Sequence, residues 1–155
     1  MSTGREGRLA RPRAPLAVLG AIALGGAAGT CARAALGLAL PASTSSFPWA
    51  ILVVNLSGSL LLGLVMVLVL ERFSATRLIR PLLATGLCGA YTTFSSFVTE
   101  IDLLVRAGRP ALAAAYLVAS VVGGLAAVVV GTSAGRRLPL GRLPLVRRRP
   151  ERPDG

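Results

Sequence analysis

Residues 49–70 and 111–134 contain no charged side chain. A helix crosses a bilayer core with about 20 apolar residues, each rising about 1.5 Å. Two further runs have nearly that character. Residues 15–40 are interrupted only by Arg33, and residues 81–105 acquire Glu100 and Asp102 near their end. The expected fold class is therefore an all-α integral membrane protein with four transmembrane helices, joined by short connections at 41–48, 71–80 and 106–110. Only 15% of the residues are charged, against about 25% in a typical soluble domain. The expected organisation is a basic N-terminal arm (1–14), one four-helix membrane domain (15–135) and an Arg/Pro-rich basic tail (136–155). The arm followed by the first run could be misread as a signal peptide. The run is too long for a typical h-region and carries Arg33, so it is expected to be retained.

The arginines set the orientation. Four spans place both termini and the 71–80 loop on one side. That side carries Arg5, Arg8, Arg11, Arg13, Arg72, Arg77, Arg80, Arg136, Arg137, Arg142, Arg147, Arg148, Arg149 and Arg152. The other side has Arg106 and Arg109, with Arg33 embedded nearby. Short cationic segments stay in the cytoplasm, so both termini are expected inside the cell membrane. This topology explains the net charge of +11 more simply than nucleic-acid binding does. The tail needs no further role than contact with anionic membrane lipid. Cys31 and Cys88 both fall in apolar runs and read as small buried thiols. Histidine is absent, which removes the commonest general base and metal ligand.

Polar groups inside the spans are costly and therefore informative. Asn55, Ser57 and Ser59 stand among aliphatics in the second span. An amide there either joins helices, at about 0.6–2 kcal/mol, or lines a wet cavity. Residues 86–97 of the third span read GLCGAYTTFSSF. Gly86 and Gly89 weaken a helix and the adjacent Thr92 and Thr93 are only fair helix formers, so a break is predicted near mid-membrane. Broken helices at that depth present backbone carbonyls to cations or substrates. Phe94 and Phe97 then share one face of the continuing helix. Taken alone, they would serve lipid contact or core packing. Counting along the helices places Asn55 about 10 Å below the outer surface, at a depth shared by Phe97, Tyr116 and Ser120. Amide, hydroxyl and aromatic ring edges are all donors or positive poles, suited to a small hard anion. A cation route would carry carboxylates in that layer.

These motifs closely resemble those of the Fluc, or CrcB, fluoride channels over residues 15–135. The resemblance rests on GGAAGTCAR at 25–33, NLSGS at 55–59 and, most specifically, GLCGAYTTFSSF at 86–97. It implies an antiparallel dimer with two fluoride pathways and a structural sodium ion at the dimer interface, held by the carbonyls of Gly89 and Thr92. It implies a fluoride pore lined by Asn55, Thr93, Phe94 and Phe97, with Tyr116 and Ser120 on a hydroxyl track of the fourth helix. The sequence departs from the pattern at Gly124, where a second hydroxyl is expected, and at Ala90-Tyr91, where smaller or aliphatic residues are expected. Arg33 and Glu100 end on the same outer side, either as a charged vestibule or as a snorkelling side chain with an ordinary ion pair.

A small proton-coupled drug exporter has similar length and a similar dimer, but it needs a membrane carboxylate in the first helix, which is missing here. An enzyme needs a nucleophile and base or metal ligands, and the spans offer no histidine and no paired carboxylates. A structural assembly protein would account for the glycine pattern but not for the clustering of polar and aromatic groups at one depth. The arginine asymmetry favours a related chain of opposite orientation as the second subunit over a second copy of this chain.

Overall fold

A computed structural model describes residues 15–40, 46–69 and 77–138. The basic arm, most of the 71–80 connection and the tail beyond 138 lie outside the described residues. Every regular element among the described residues is helical. Helix α1 is Leu16–Ala39 and α2 is Trp49–Val67. The third predicted span begins as a π-helical stretch, Pro81–Cys88, and ends with one α-turn, Gly89–Tyr91; together these are α3. It resumes after two extended residues as α4, Phe94–Arg106. Helix α5 is Pro110–Arg137. Of these, α1, α2 and α5 are long and apolar enough to cross a membrane. The chain is thus an all-helical, multi-pass membrane protein.

Packing follows two helix pairs, α1 with α3 and α2 with α5, and α4 leans on α5. Lipid tails are as apolar as leucine, so these pairs need close backbone approach rather than a hydrophobic drive. Glycines provide it. A Cβ on Gly25 would run into the Leu82 carbonyl oxygen, and one on Gly29 into that of Leu87. From the opposite side, a Cβ on Gly86 would lie 2.6 Å from Ile22 O. The second pair repeats the device. A Cβ on Gly63 would stand 3.1 Å from Thr132 N, and one on Gly131 would stand 3.0 Å from Leu64 N. The α4–α5 corner turns at Gly108, whose φ of +72° suits a residue without Cβ. Pro110 then opens α5, where its missing N–H costs nothing.

The break falls at Thr92 and Thr93, with ψ of 156° and 116°. The two glycines expected to weaken the helix are both helical. Gly89 has φ −65° and ψ −32°, and Gly86 serves close contact with α1. The helix stops at the two adjacent β-branched residues: Thr92 N–H still bonds to Cys88 O at 3.1 Å, while Thr93 N–H turns to Asn55 on α2. The π-winding of Pro81–Cys88 was not legible in the sequence.

Leu52, Leu104, Ala113 and Tyr116 form a small buried core where α2, α4 and α5 meet, with Phe47, Phe97 and Ile101 packed against it. This core fixes the start of α5 relative to α4, and so the position of Tyr116 behind Phe97.

Candidate functional site

A cleft of about 380 Å³ runs along the break. Asn55, Ser59, Gly89, Thr92, Thr93, Phe94, Phe97 and Ser120 line it. Of the ten residues singled out by sequence, seven therefore meet at one cleft. Tyr116 lies behind the lining, and Arg33 and Glu100 stand apart from it.

Asn55 is held from both ends of its amide. Its Nδ2 donates to Thr93 O at 3.1 Å, and Thr93 N donates to its Oδ1 at 2.9 Å. The backbone partners fix which end is oxygen, and one Nδ2 proton remains for the cleft. In a continuous helix Thr93 N–H would go to Gly89 O. Here it goes to Asn55, which leaves the Gly89 carbonyl without that partner. Thr93 is 6% exposed and caps α4, its Oγ1 accepting from Ser96 N at 3.2 Å and donating to Ser96 Oγ at 3.0 Å. With its proton so engaged, Thr93 Oγ1 accepts from Ser95 Oγ at 3.2 Å. A Thr-x-x-Ser pattern ahead of an amphipathic stretch is the signal that would have found this cap.

The aromatic residues form a chain of contacts. Phe94 is 78% exposed at the mouth of the cleft. Its ring centroid lies 5.8 Å from that of Phe97, and Phe97 lies 5.5 Å from Tyr116. Tyr116 is edge-on to Phe47 at 5.6 Å and fully buried. Tyr116 Oη and Ser120 Oγ, one turn apart on α5, are both buried, and apart from one another they have no hydrogen-bond partner among the described residues. Gly124, where α5 lacks an expected hydroxyl, faces one from α2, since its Cβ position would be 3.7 Å from Ser59 Oγ.

Arg33 on α1 and Glu100 on α4 are half-buried and do not pair with one another. Asp102 pairs instead with Arg106, one turn on, at 2.7 Å. That pair is exposed and contributes only about 0.3–0.5 kcal/mol. No group of three or more His, Cys, Asp or Glu gathers among the described residues, so a cation at the break would be met by backbone oxygens. Among the described residues, no Asp, Glu, Lys or Arg lines the cleft.

Residues 20–132 match the family described as CrcB-like protein, Camphor Resistance (CrcB). Fluoride-specific ion channel FluC 3 of Streptomyces avermitilis is 43% identical over 138 residues, spanning 89% of this chain and 65% of that relative. Fluoride-specific ion channel FluC 2 of Nocardia farcinica is 42% identical over 120 residues, 77% of this chain and 86% of its own length. Fluoride-specific ion channel FluC of Agrobacterium fabrum is 41% identical over 118 residues, 76% and 94% respectively. On the extent of these matches, and on the broken helix and its cleft, the chain belongs to the CrcB family.

Proposed function

We propose that this chain is one subunit of an antiparallel dimeric channel that lets fluoride leave the cell passively, with the third span crossing the membrane as α3 and α4 in series. The observation that carries the reading is the cleft. It gathers an amide, hydroxyls and phenylalanine rings in one place with no charged side chain among the described residues, and relatives over most of the chain are named fluoride-specific ion channels. An anion entering the cleft exchanges water for the remaining Asn55 N–H, the Ser120 hydroxyl and the positive edges of Phe94 and Phe97. Tyr116, behind Phe97, is the reserve donor of the same layer. Fluoride is small and keeps short contacts with such donors, whereas chloride is too large to do so in a narrow layer. The one titratable group in the lining among the described residues is the Cys88 thiol, 2% exposed; no carboxylate or imidazole stands there for obligatory proton coupling. Arg33 and Glu100 would set the charge of an outer vestibule.

Gly89 and Thr92 fit a structural sodium ion. Both line the cleft, the Gly89 carbonyl has lost its helical partner to the Asn55 contact, and Thr92 is extended. Such an ion would supply positive charge at the break, and Gly89 and Thr92 would hold it through their backbone oxygens.

The test is efflux from vesicles of the native membrane, with and without the chain. Fluoride efflux should depend on the chain, chloride efflux should not, and collapsing the proton gradient should leave fluoride efflux in place. Equal fluoride and chloride fluxes, or strict dependence on a proton gradient, would end the proposal.

The second subunit is inferred from the arginines. An identical antiparallel partner requires insertion both ways, and the bias of the positive residues fixes both termini inside. A related chain of opposite bias is therefore favoured, with a homodimer as the other outcome. A C-terminal tag should be reachable only from the cytoplasmic face, and the chain purified alone should conduct poorly. Tags on both faces, or strong fluoride flux from the isolated chain, would restore the homodimer.

A further inference from the structure

The three residues at which the third span leaves the helix are each held by one turn of α2. Ser57 donates its proton to Val53 O at 2.6 Å, so the Tyr91 hydroxyl, 2.8 Å away, donates to Ser57 Oγ. Thr92 and Tyr91 sit over Gly58. A Cβ there would collide with Thr92 Cγ2 and approach Tyr91 Cδ1 at 3.1 Å. Thr93 has both backbone groups on the Asn55 amide, at 2.9 and 3.1 Å. Asn55, Ser57 and Gly58 thus grip Thr93, Tyr91 and Thr92 in turn.

We propose that this turn of α2 is a latch that keeps the break from rewinding, with Asn55 as its positioning residue. Thr93 N–H has two competing acceptors, Asn55 Oδ1 and the Gly89 carbonyl of a continuous helix. With Asn55 present, the N–H is satisfied across the helix pair, and the chain stays extended at Thr92 and Thr93. Without it, the N–H of Thr93, a residue 6% exposed, loses its partner, and the nearest remedy is the helical bond to Gly89. Rewinding rotates every residue that follows by about 100° per residue brought into the helix. Thr93 caps α4 through Ser96 N, so its position sets where Phe94, the next residue, and Phe97, one turn on, stand relative to the cleft. Asn55 therefore acts on the lining through Thr93, whatever its second N–H does. Tyr91 explains its own place in the motif. Its ring fills the space over Gly58 and its hydroxyl reaches α2, which a small or aliphatic residue at 91 would not do.

The latch rests on the geometry of the break and not on which ion crosses, so its test uses a reporter independent of transport. Cys88 is 2% exposed, and its carbonyl accepts both the N–H and the hydroxyl of Thr92, each at 3.1 Å. Cys88 lines the same cleft as Phe94 and Phe97, so displacing them on rewinding uncovers it; in a Cys31→Ser background, its labelling rate by a small water-soluble thiol reagent reports release of the break. Asn55→Ala should raise that rate by about tenfold and Tyr91→Phe by about threefold, the factors expected from losing two hydrogen bonds and one. A second reporter in the same background, Val65→Cys with Cys88→Ser, stands on α2, the helix of Asn55, at a residue 6% exposed. Its labelling should not change, because the release is local. Tyr91→Phe removes a single hydrogen bond and decides the matter if Asn55→Ala does not reach the membrane. Unchanged Cys88 labelling in both variants, with fluoride efflux lost in Asn55→Ala, would overturn the latch and leave Asn55 a direct donor to the ion. A parallel rise at the Val65 reporter would overturn it too, by showing general loosening.

Discussion

Gly25→Val or Gly29→Val should abolish the assembled protein, while Gly20→Ala and Gly37→Ala on the same helix should leave it intact. The distinction is steric. A Cβ at Gly25 or Gly29 points into the carbonyl oxygens of Leu82 and Leu87, and that at Gly29 also lies 3.0 Å from Tyr91 N. These are backbone atoms, which cannot swing aside as a side chain would. Relief requires α1 and α3 to separate, and separation also strips Gly86 of its contact with Ile22 O. Overpacking of a tight interface typically costs 1–3 kcal/mol, and a clash with backbone on both sides belongs at about 3 kcal/mol or above. That is a large share of the ~5–15 kcal/mol by which proteins are stable. Gly20 and Gly37 have nothing within 4 Å of a would-be Cβ, so an added methyl meets no other part of the chain. The measurement is the yield of monodisperse protein extracted in mild detergent, with its melting temperature. Normal yield from both valine variants would mean that α1 and α3 do not pack as closely as described.

The spans were legible because hydrophobicity is a bulk signal. Residues 49–70 and 111–134 have no charged side chain, and they become α2 and α5 with ends shifted by a few residues. The break was legible in place, since Thr92 and Thr93 stand in the stretch expected to break, but the part played by the glycines was not. Glycine has two uses in a helix, weakening it and admitting a neighbour, and a single sequence does not separate them. Gly86 proves to be the second kind, because Ile22 lies across from it. The partners of Asn55 were hidden for a similar reason. An amide in a membrane helix announces that it needs partners, but not that both would be backbone atoms of a residue 38 positions on. The aromatic pair was placed correctly on one side of α4, yet its two members differ in surroundings. Phe97 leans on the Tyr116 core and Phe94 does not, which is a matter of tertiary packing that a three-residue spacing cannot carry. The proposed second subunit is coded even more weakly, in the arginine balance alone.

That difference between the two rings determines which variant tests the pore most cleanly. Phe94→Ile is expected to reduce fluoride efflux by about tenfold or more, the loss that follows when a positive ring edge worth on the order of 1–2 kcal/mol to a desolvated ion is replaced by an alkyl group. Phe94 is 78% exposed within the chain, so its replacement removes almost no packing inside the subunit, and folding should be unaffected. Phe97→Ile should also impair efflux, but it breaks the 5.5 Å contact with Tyr116 as well, so it should lower stability by about 1 kcal/mol besides. Methionine at either position keeps the volume and the flexibility while lacking the ring, and should behave like isoleucine. The decisive comparison is efflux against thermal stability for the two sites. Loss of transport at Phe94 with an unchanged melting temperature assigns its ring to the ion path. Normal transport in both Phe94→Ile and Phe94→Met would mean that this exposed ring serves contact with lipid or with the second subunit, and the anion would then have to be carried by the Asn55 and hydroxyl side of the cleft alone.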